Sequence, residues 1–362
     1  MIANIGIGSA TNMFDLYMLP AEQGDCIWIE YGPPAARHRI LYDCGTKDTW
    51  PMLKERIEKL DPKDRKFALL VISHIDKDHI GGAIDLLRHR KSLGVTFGEI
   101  WFNDYRHVSD MLGFPEAIVL AKELDKPDLK PCWNRAYVGA AVVHKAGDRR
   151  PPPEFGGMKL MLLSPTPTLL SKLAEGWEDA LAKFKAKPGH SAGADDMLGG
   201  KSTARAQPAG FGSDNSKPNG SSIAVVAEYD GKRVLLAGDA YASTLCAGLK
   251  RLSGTGPYRI DAYKVSHHGS RANVSKALLN AMTCENFLFS SNGLHGMRPH
   301  IETLGLIRDH TKASAFYFNY RAPHVETWVS GAITHSNPCD IHFTEDADYR
   351  IDINTVALGK SA

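Results

Sequence analysis

Ser73-His74-Ile75-Asp76-Lys77-Asp78-His79-Ile80-Gly81-Gly82 follows an apolar run that begins at Phe67 and leads into a helical pattern carried by Ile84, Leu86 and Leu87. His74, Asp76, Asp78 and His79 are all potential metal ligands. In a regular helix or strand such close neighbours diverge. A tight turn at the C-terminal end of a strand instead splays His74 and Asp76 toward one ion, and Asp78 and His79 toward a second. Gly81 and Gly82 then let the backbone pass close by. A single His or Asp in such a loop would be read as part of a solvated turn; the packed set argues for a metal site.

Two further segments end apolar runs in the same way: Leu235-Leu236-Ala237-Gly238-Asp239, and Tyr263-Lys264-Val265-Ser266 leading into His267-His268-Gly269-Ser270. With the strands aligned, the three segments meet at one rim of the sheets, where layered α/β folds bind their ligands. The surrounding pattern agrees. Strand-like runs at 14–19, 26–31, 40–42 and 67–73 surround a helical stretch at 50–60, and a helical stretch follows at 81–91. A second set of strands reads at 159–163, 222–228, 233–237, 262–266 and 287–290, with helices at 243–252 and 274–281. No sequence repeat links the two halves.

The chain has 362 residues, is 43% hydrophobic and carries a net charge of +2, so it can bury a substantial core without disulfides, and its charge decides nothing about nucleic acid. Cys26, Cys44, Cys132, Cys246, Cys284 and Cys339 form no metal-ligand spacing and suit a reducing compartment. With neither a leader-like N-terminus nor a membrane-spanning run, the expectation is a cytoplasmic protein without membrane partners. Residues 185–218 are rich in Gly, Ala, Ser, Pro and Lys and read as a flexible insertion, either without a role or a flap over the substrate. The alternating tail, 321–362, reads as edge strands or a small C-terminal β extension beyond a main domain at 14–320. His89, His107, His144, His190, His310, His324, His335 and His342 match no motif.

These motifs resemble the metallo-β-lactamase superfamily signature, and in particular the hydrolase domain of the ComEC family of DNA-uptake proteins. The likeness rests on Gln23-Gly24-Asp25, Leu41-Tyr42-Asp43-Cys44-Gly45, the 74–79 motif, Asn219 with Ser222, Gly238-Asp239-Ala240 and His267-His268-Gly269-Ser270. It implies an α/β protein with the four-layer αββα metallo-β-lactamase fold and two divalent ions, Zn²⁺ or Mn²⁺. Asp76 stands where most members have a His, and Asn219 where a later ligand His falls; the ComEC-like group shares both features. One ion is then expected on His74, Asp76 and at best the Asn219 amide, a harder and weaker site. The other is expected on Asp78, His79 and His267, with His268 as the fallback ligand or a catalytic group, and with Asp239 bridging the two.

A phosphodiesterase follows, most simply a nuclease with DNA as partner. Ions about 3.5–4 Å apart hold a bridging hydroxide and neutralise charge on the phosphoryl oxygens. Asp78 orients that hydroxide, His300 is the candidate acid, and Ser270 and Arg271 hold phosphate. Asp43 and Asp25 orient ligating imidazoles. Two other readings stay open: a hydrolase of small esters or lactones, and a non-catalytic regulatory module that keeps its metal for structure.

Overall fold

A computed structural model describes residues 12–104, 115–174, 212–311, 314–332 and 335–356. Most of the expected insertion, 185–211, lies outside the described residues, as do His107 and His190.

The strands in chain order are β1 (Met13–Met18), β2 (Ile27–Gly32), β3 (His38–Tyr42), β4 (Lys66–Val71), β5 (Thr96–Trp101), β6 (Glu154–Phe155), β7 (Met158–Ser164), β8 (Ala224–Tyr229), β9 (Lys232–Leu236), β10 (Tyr258–Arg259), β11 (Ala262–Lys264), β12 (Met282–Thr283), β13 (Asn286–Phe289), β14 (Ala315–Phe318), β15 (Asp340–Phe343) and β16 (Arg350–Asp352). They form a six-stranded sheet, β16-β1-β2-β3-β4-β5, an eight-stranded sheet, β15-β14-β13-β11-β9-β8-β7-β6, and a small β10-β12 ladder.

Period-two alternation decides the layering. In β1 and β2, Phe14, Leu16, Ile27 and Ile29 point into a core shared with Val225, Ala227, Val234 and Leu236 of the second sheet. The intervening Trp28 faces outward, onto a core with Leu53 and Ile57 of the helix Trp50–Glu58 and Leu86 and Leu87 of the helix Lys77–Leu93. On the far side, Leu235 and Val226 pack against Leu245 and Leu249 of the helix Ala242–Ser253. The order is helix, sheet, sheet, helix, as the αββα expectation requires.

The tail is not an appendage. β15 pairs with β14 and β16 with β1, so residues 321–356 supply an edge strand to each sheet and the helix Pro323–Ala332. Among the described residues no helix is long and apolar enough to cross a membrane.

Strand direction creates the functional rim. β9, β11 and β13 run parallel in one sheet, and β3, β4 and β5 in the other. The segments that leave β4, β9, β11 and β13 therefore emerge where their strands' C-terminal ends gather.

Candidate metal centre

The motif loops are tied together by backbone before any side chain is considered. Asp25 N–H donates to Asp78 O, Cys44 N–H to His79 O, and Gly45 N–H to Asp25 O, at 3.1, 2.9 and 2.7 Å. Across the sheets, Ile223 N–H donates to Ser73 O and His267 N–H to Gly238 O. Two glycines are obligatory: a Cβ on Gly24 would lie 1.8 Å from Asp78 O, and one on Gly82 would lie 2.3 Å from Cys44 O.

Four imidazoles converge on the carboxylate of Asp239. His79 Nε2 and His268 Nε2 stand 3.4 and 3.6 Å from Oδ1, and His267 Nε2 and His74 Nε2 stand 3.4 and 3.9 Å from Oδ2. Each ring is anchored by its other nitrogen. His79 Nδ1 donates to Asp43 Oδ2 at 2.8 Å, His268 Nδ1 to the Ser290 carbonyl at 3.0 Å, and His267 Nδ1 to Asn273 Oδ1 at 2.9 Å. His74 Nδ1 donates to Ser73 Oγ, whose own proton goes to Asp43 Oδ2. In each neutral ring the lone pair is thus on Nε2 and aimed inward. His79 Nε2 and His268 Nε2 lie only 3.3 Å apart, close enough to share a proton in the metal-free protein or to face one cation together.

Asp78 Oδ2 adds a carboxylate 3.6 Å from His268 Nε2, and Asp76 Oδ2 one 3.5 Å from His74 Nε2. Ligand atoms of His74, His79 and Asp239 lie within 4.8 Å of one another, as do those of Asp78, His79 and His268. His74 Nε2, Asp239 Oδ1 and Asn219 Oδ1 are buried without a hydrogen-bond partner. Imidazoles with inward lone pairs, carboxylates and orphaned buried acceptors make a donor set that fits divalent cations.

Residues 19–194 match the family described as the Metallo-beta-lactamase superfamily. The chain carries a metallo-β-lactamase-fold domain. It is similar to the metallo-beta-lactamase fold protein YhfI from Bacillus subtilis, at 11% identity over 92% of this chain and 97% of that one, with a TM-score of 0.43. A protein from Parabacteroides distasonis described as a metal-dependent hydrolase is similar at 11% identity over 92% of this chain and 93% of that one, with a TM-score of 0.37. No curated protein matches the sequence.

The rim is strongly polarised. Burial opposes charge on His79, yet Asp239, Asp43 and Asp78 together push its pKa well above the usual histidine value. His268 is raised against the same burial by Asp239 and Asp25. Burial would raise Asp239, but His267, His79 and His268 hold it well below the carboxylate range, and Asp78 is lowered against burial by His79 and His268. Without metal, the carboxylates around His79 and His268 favour the protonated form of these two rings.

The two adjacent histidines exchange the places expected for them. His268, not His267, joins Asp78 and His79, while His267 turns to the Oδ2 side. The cause is local: β11 stops at Lys264, and both histidines take left-handed conformations, φ 52° and 56°, that swing consecutive side chains to opposite sides of Asp239. The His74 side therefore gains an imidazole, although it stays the looser one. Asn219 Nδ2 donates to Asp214 Oδ2 at 2.8 Å and lies 3.3 Å from His267 Nδ1, while its amide oxygen, the expected ligand atom, is buried without a hydrogen-bond partner.

Three expectations near the turn change. Ser270 Oγ accepts the Ala272 N–H within its own turn and is buried. Arg271 is paired with Glu302 at 2.8 Å. His300 Nδ1 accepts the Arg271 N–H at 3.0 Å, and burial with Arg271 and Arg298 pushes its pKa down to about 4. A neutral ring with its proton on Nε2 is a hydrogen-bond donor and a poor acid, so the structure withdraws the acid role.

Asp25 and Asp43 stand behind the histidines. Asp25 Oδ1 is 3.3 Å from His268 Nδ1, and its Oδ2 receives the ammonium of Lys264 at 2.6 Å with both side chains fully buried. Sequence reasoning missed Lys264, Asn273, Ser73 and Asp214. Asp214 Oδ2 accepts from Asn219 and Asn273 and lies 3.3 Å from His267 Nδ1. Their signal was position: Lys264 lies three residues before a histidine pair, and Asn273 three after Ser270.

Proposed function

We propose that this domain is a hydrolase that works with two divalent cations, Zn²⁺ or Mn²⁺, and cuts phosphodiesters, with DNA as its substrate. The observation that carries the reading is the convergence of four anchored imidazoles on the two oxygens of one buried carboxylate. Asp78, His79 and His268 would hold one cation and His74, Asp76 and His267 the other, with Asp239 shared between them. Such a pair lowers the pKa of water and offsets charge on phosphoryl oxygens.

The chain's own residues do the rest. Asp43 and the Ser290 carbonyl fix the tautomers of His79 and His268, so their lone pairs need no reorganisation. Asp76 and Asp78 are the partly exposed carboxylates of the set, on the side open to solvent, where Asp78 orients the attacking water. His300, neutral and with its proton on Nε2, would hydrogen-bond a phosphoryl oxygen without giving up that proton. Three carboxylates among the donors, with Asp76 on the His74 side, and the ComEC-like motif order favour a phosphate ester over a lactam or thioester.

The test is incubation of plasmid and single-stranded DNA with the protein under Mn²⁺, Zn²⁺ or chelator. Cleavage that needs metal, weakens steeply with salt and vanishes in Asp239→Asn is expected. DNA left intact under every metal would overturn the nuclease reading.

A further inference from the structure

Three of the large apolar side chains most open to water lie on one short stretch: Leu294, Met297 and Ile301 are 85, 62 and 50% exposed. The stretch is held in place. Asn292 N–H donates to Glu22 O at 2.8 Å and His300 N–H to Gly269 O at 3.1 Å. Met297 is kept at φ 53°, a conformation unfavourable for a side chain of its size. A fixed segment that presents apolar groups to solvent at a catalytic rim marks a binding surface.

Behind it lies a cleft of about 470 Å³, lined among others by Arg271 with its ion-pair partner Glu302, and by Met297, His300, Ile301 and Trp328. Its two ends differ in chemistry. At one end the backbone N–H of Arg271, the second residue after the turn that carries His267 and His268, donates to Nδ1 of His300, which precedes the helix Ile301–His310. At the other, the Trp328 indole stacks on Phe316, ring centroids 5.6 Å apart and 10° from parallel, so it forms a rigid aromatic wall. Inorganic phosphate would use only the polar end, and an alkyl chain only the apolar one. A ligand with a planar ring one sugar away from a phosphate uses both.

We propose that this cleft is a nucleobase subsite, holding the base next to the phosphate being cut, a reading that rests on the phosphodiesterase assignment. Trp328, Met297 and Ile301 contact the base, and His300 faces the phosphate side beside the Arg271–Glu302 ion pair. Stacking on an aromatic wall tolerates every base, so the cleft confers a requirement for a nucleoside without a sequence preference.

Calorimetric titration of the metal-loaded protein with thymidine 5′-monophosphate and with deoxyribose 5-phosphate tests this. The nucleotide is expected to bind about tenfold or more tighter, and that ratio should fall toward one in Trp328→Ala and in Met297→Ser/Ile301→Ser. Trp328→Ala uncovers Phe316 and risks unfolding; the double variant changes only exposed positions and keeps the test decisive. A ratio near one in the unaltered protein, or an unchanged ratio in the double variant, overturns the subsite. Base preference without phosphodiester hydrolysis would instead fault the proposed function, and hydrolysis without base preference would fault the cleft alone.

Discussion

At the scale of single residues the protein is organised around Asp239, whose two oxygens each face a pair of imidazole nitrogens. An amide in its place cannot present two anionic oxygens, so Asp239→Asn is expected to lose bound metal, read by elemental mass spectrometry, by more than any outer partner does. Asp43→Asn frees the His79 ring and should weaken metal affinity roughly 10–100-fold in a competition titration. Because His79 and His268 are raised in the metal-free state, metal uptake must expel protons, and affinity should fall as pH falls. Proton release measured in buffers of different ionisation enthalpy checks the sign. His300 behaves oppositely: its folded pKa of about 4 lies below the ordinary 6.5, so the unfolded chain binds the extra proton between those values. Stability then declines as pH drops through that window, and His300→Gln should flatten this part of the melting-temperature profile. At this scale the ligand types were legible because they cluster in sequence, but the division of labour between His267 and His268 was not. It depends on two left-handed residues that no spacing rule reveals.

At the scale of elements, strand ends and the loops leaving them do the positioning. β11 carries Lys264, fully buried against Asp25, which in turn lies beside His268. Lys264→Met strands a buried carboxylate and is expected to cost roughly 3–5 kcal/mol in chemical denaturation, whereas adding Asp25→Asn should restore much of that loss. Unchanged stability in the single variant would contradict the pairing. Gly24→Ala drives a methyl into Asp78 O, so it should displace the 73–82 loop and lower metal content even where the chain still folds. β1 to β4 and β7 to β9 were legible as apolar or alternating runs, since each has one face on the shared core. β5, β14 and the helix Ile301–His310 escaped notice because burial on both faces or a weak apolar stripe leaves no clear period. Asp214 was hidden for another reason: it ends a stretch whose composition reads as featureless, yet its carboxylate supports His267.

For the whole molecule, two sheets pack face to face between helices, with the tail closing an edge of each. That arrangement brings segments about 190 residues apart in sequence, such as His79 and His268, to within 3.3 Å. The convergence was legible as a consequence of aligned strands, and alternation in the tail was legible as edge strands; which strands they pair with was not, since the partners are set by the fold. The most direct test of the central claim is anomalous diffraction from crystals grown with Zn²⁺ or Mn²⁺. The expected result is two ions about 3.5–4 Å apart, bridged by Asp239, one on Asp78, His79 and His268 and the other on His74, Asp76 and His267. Anomalous peaks elsewhere, or none at Asp239 at saturating metal, would contradict it.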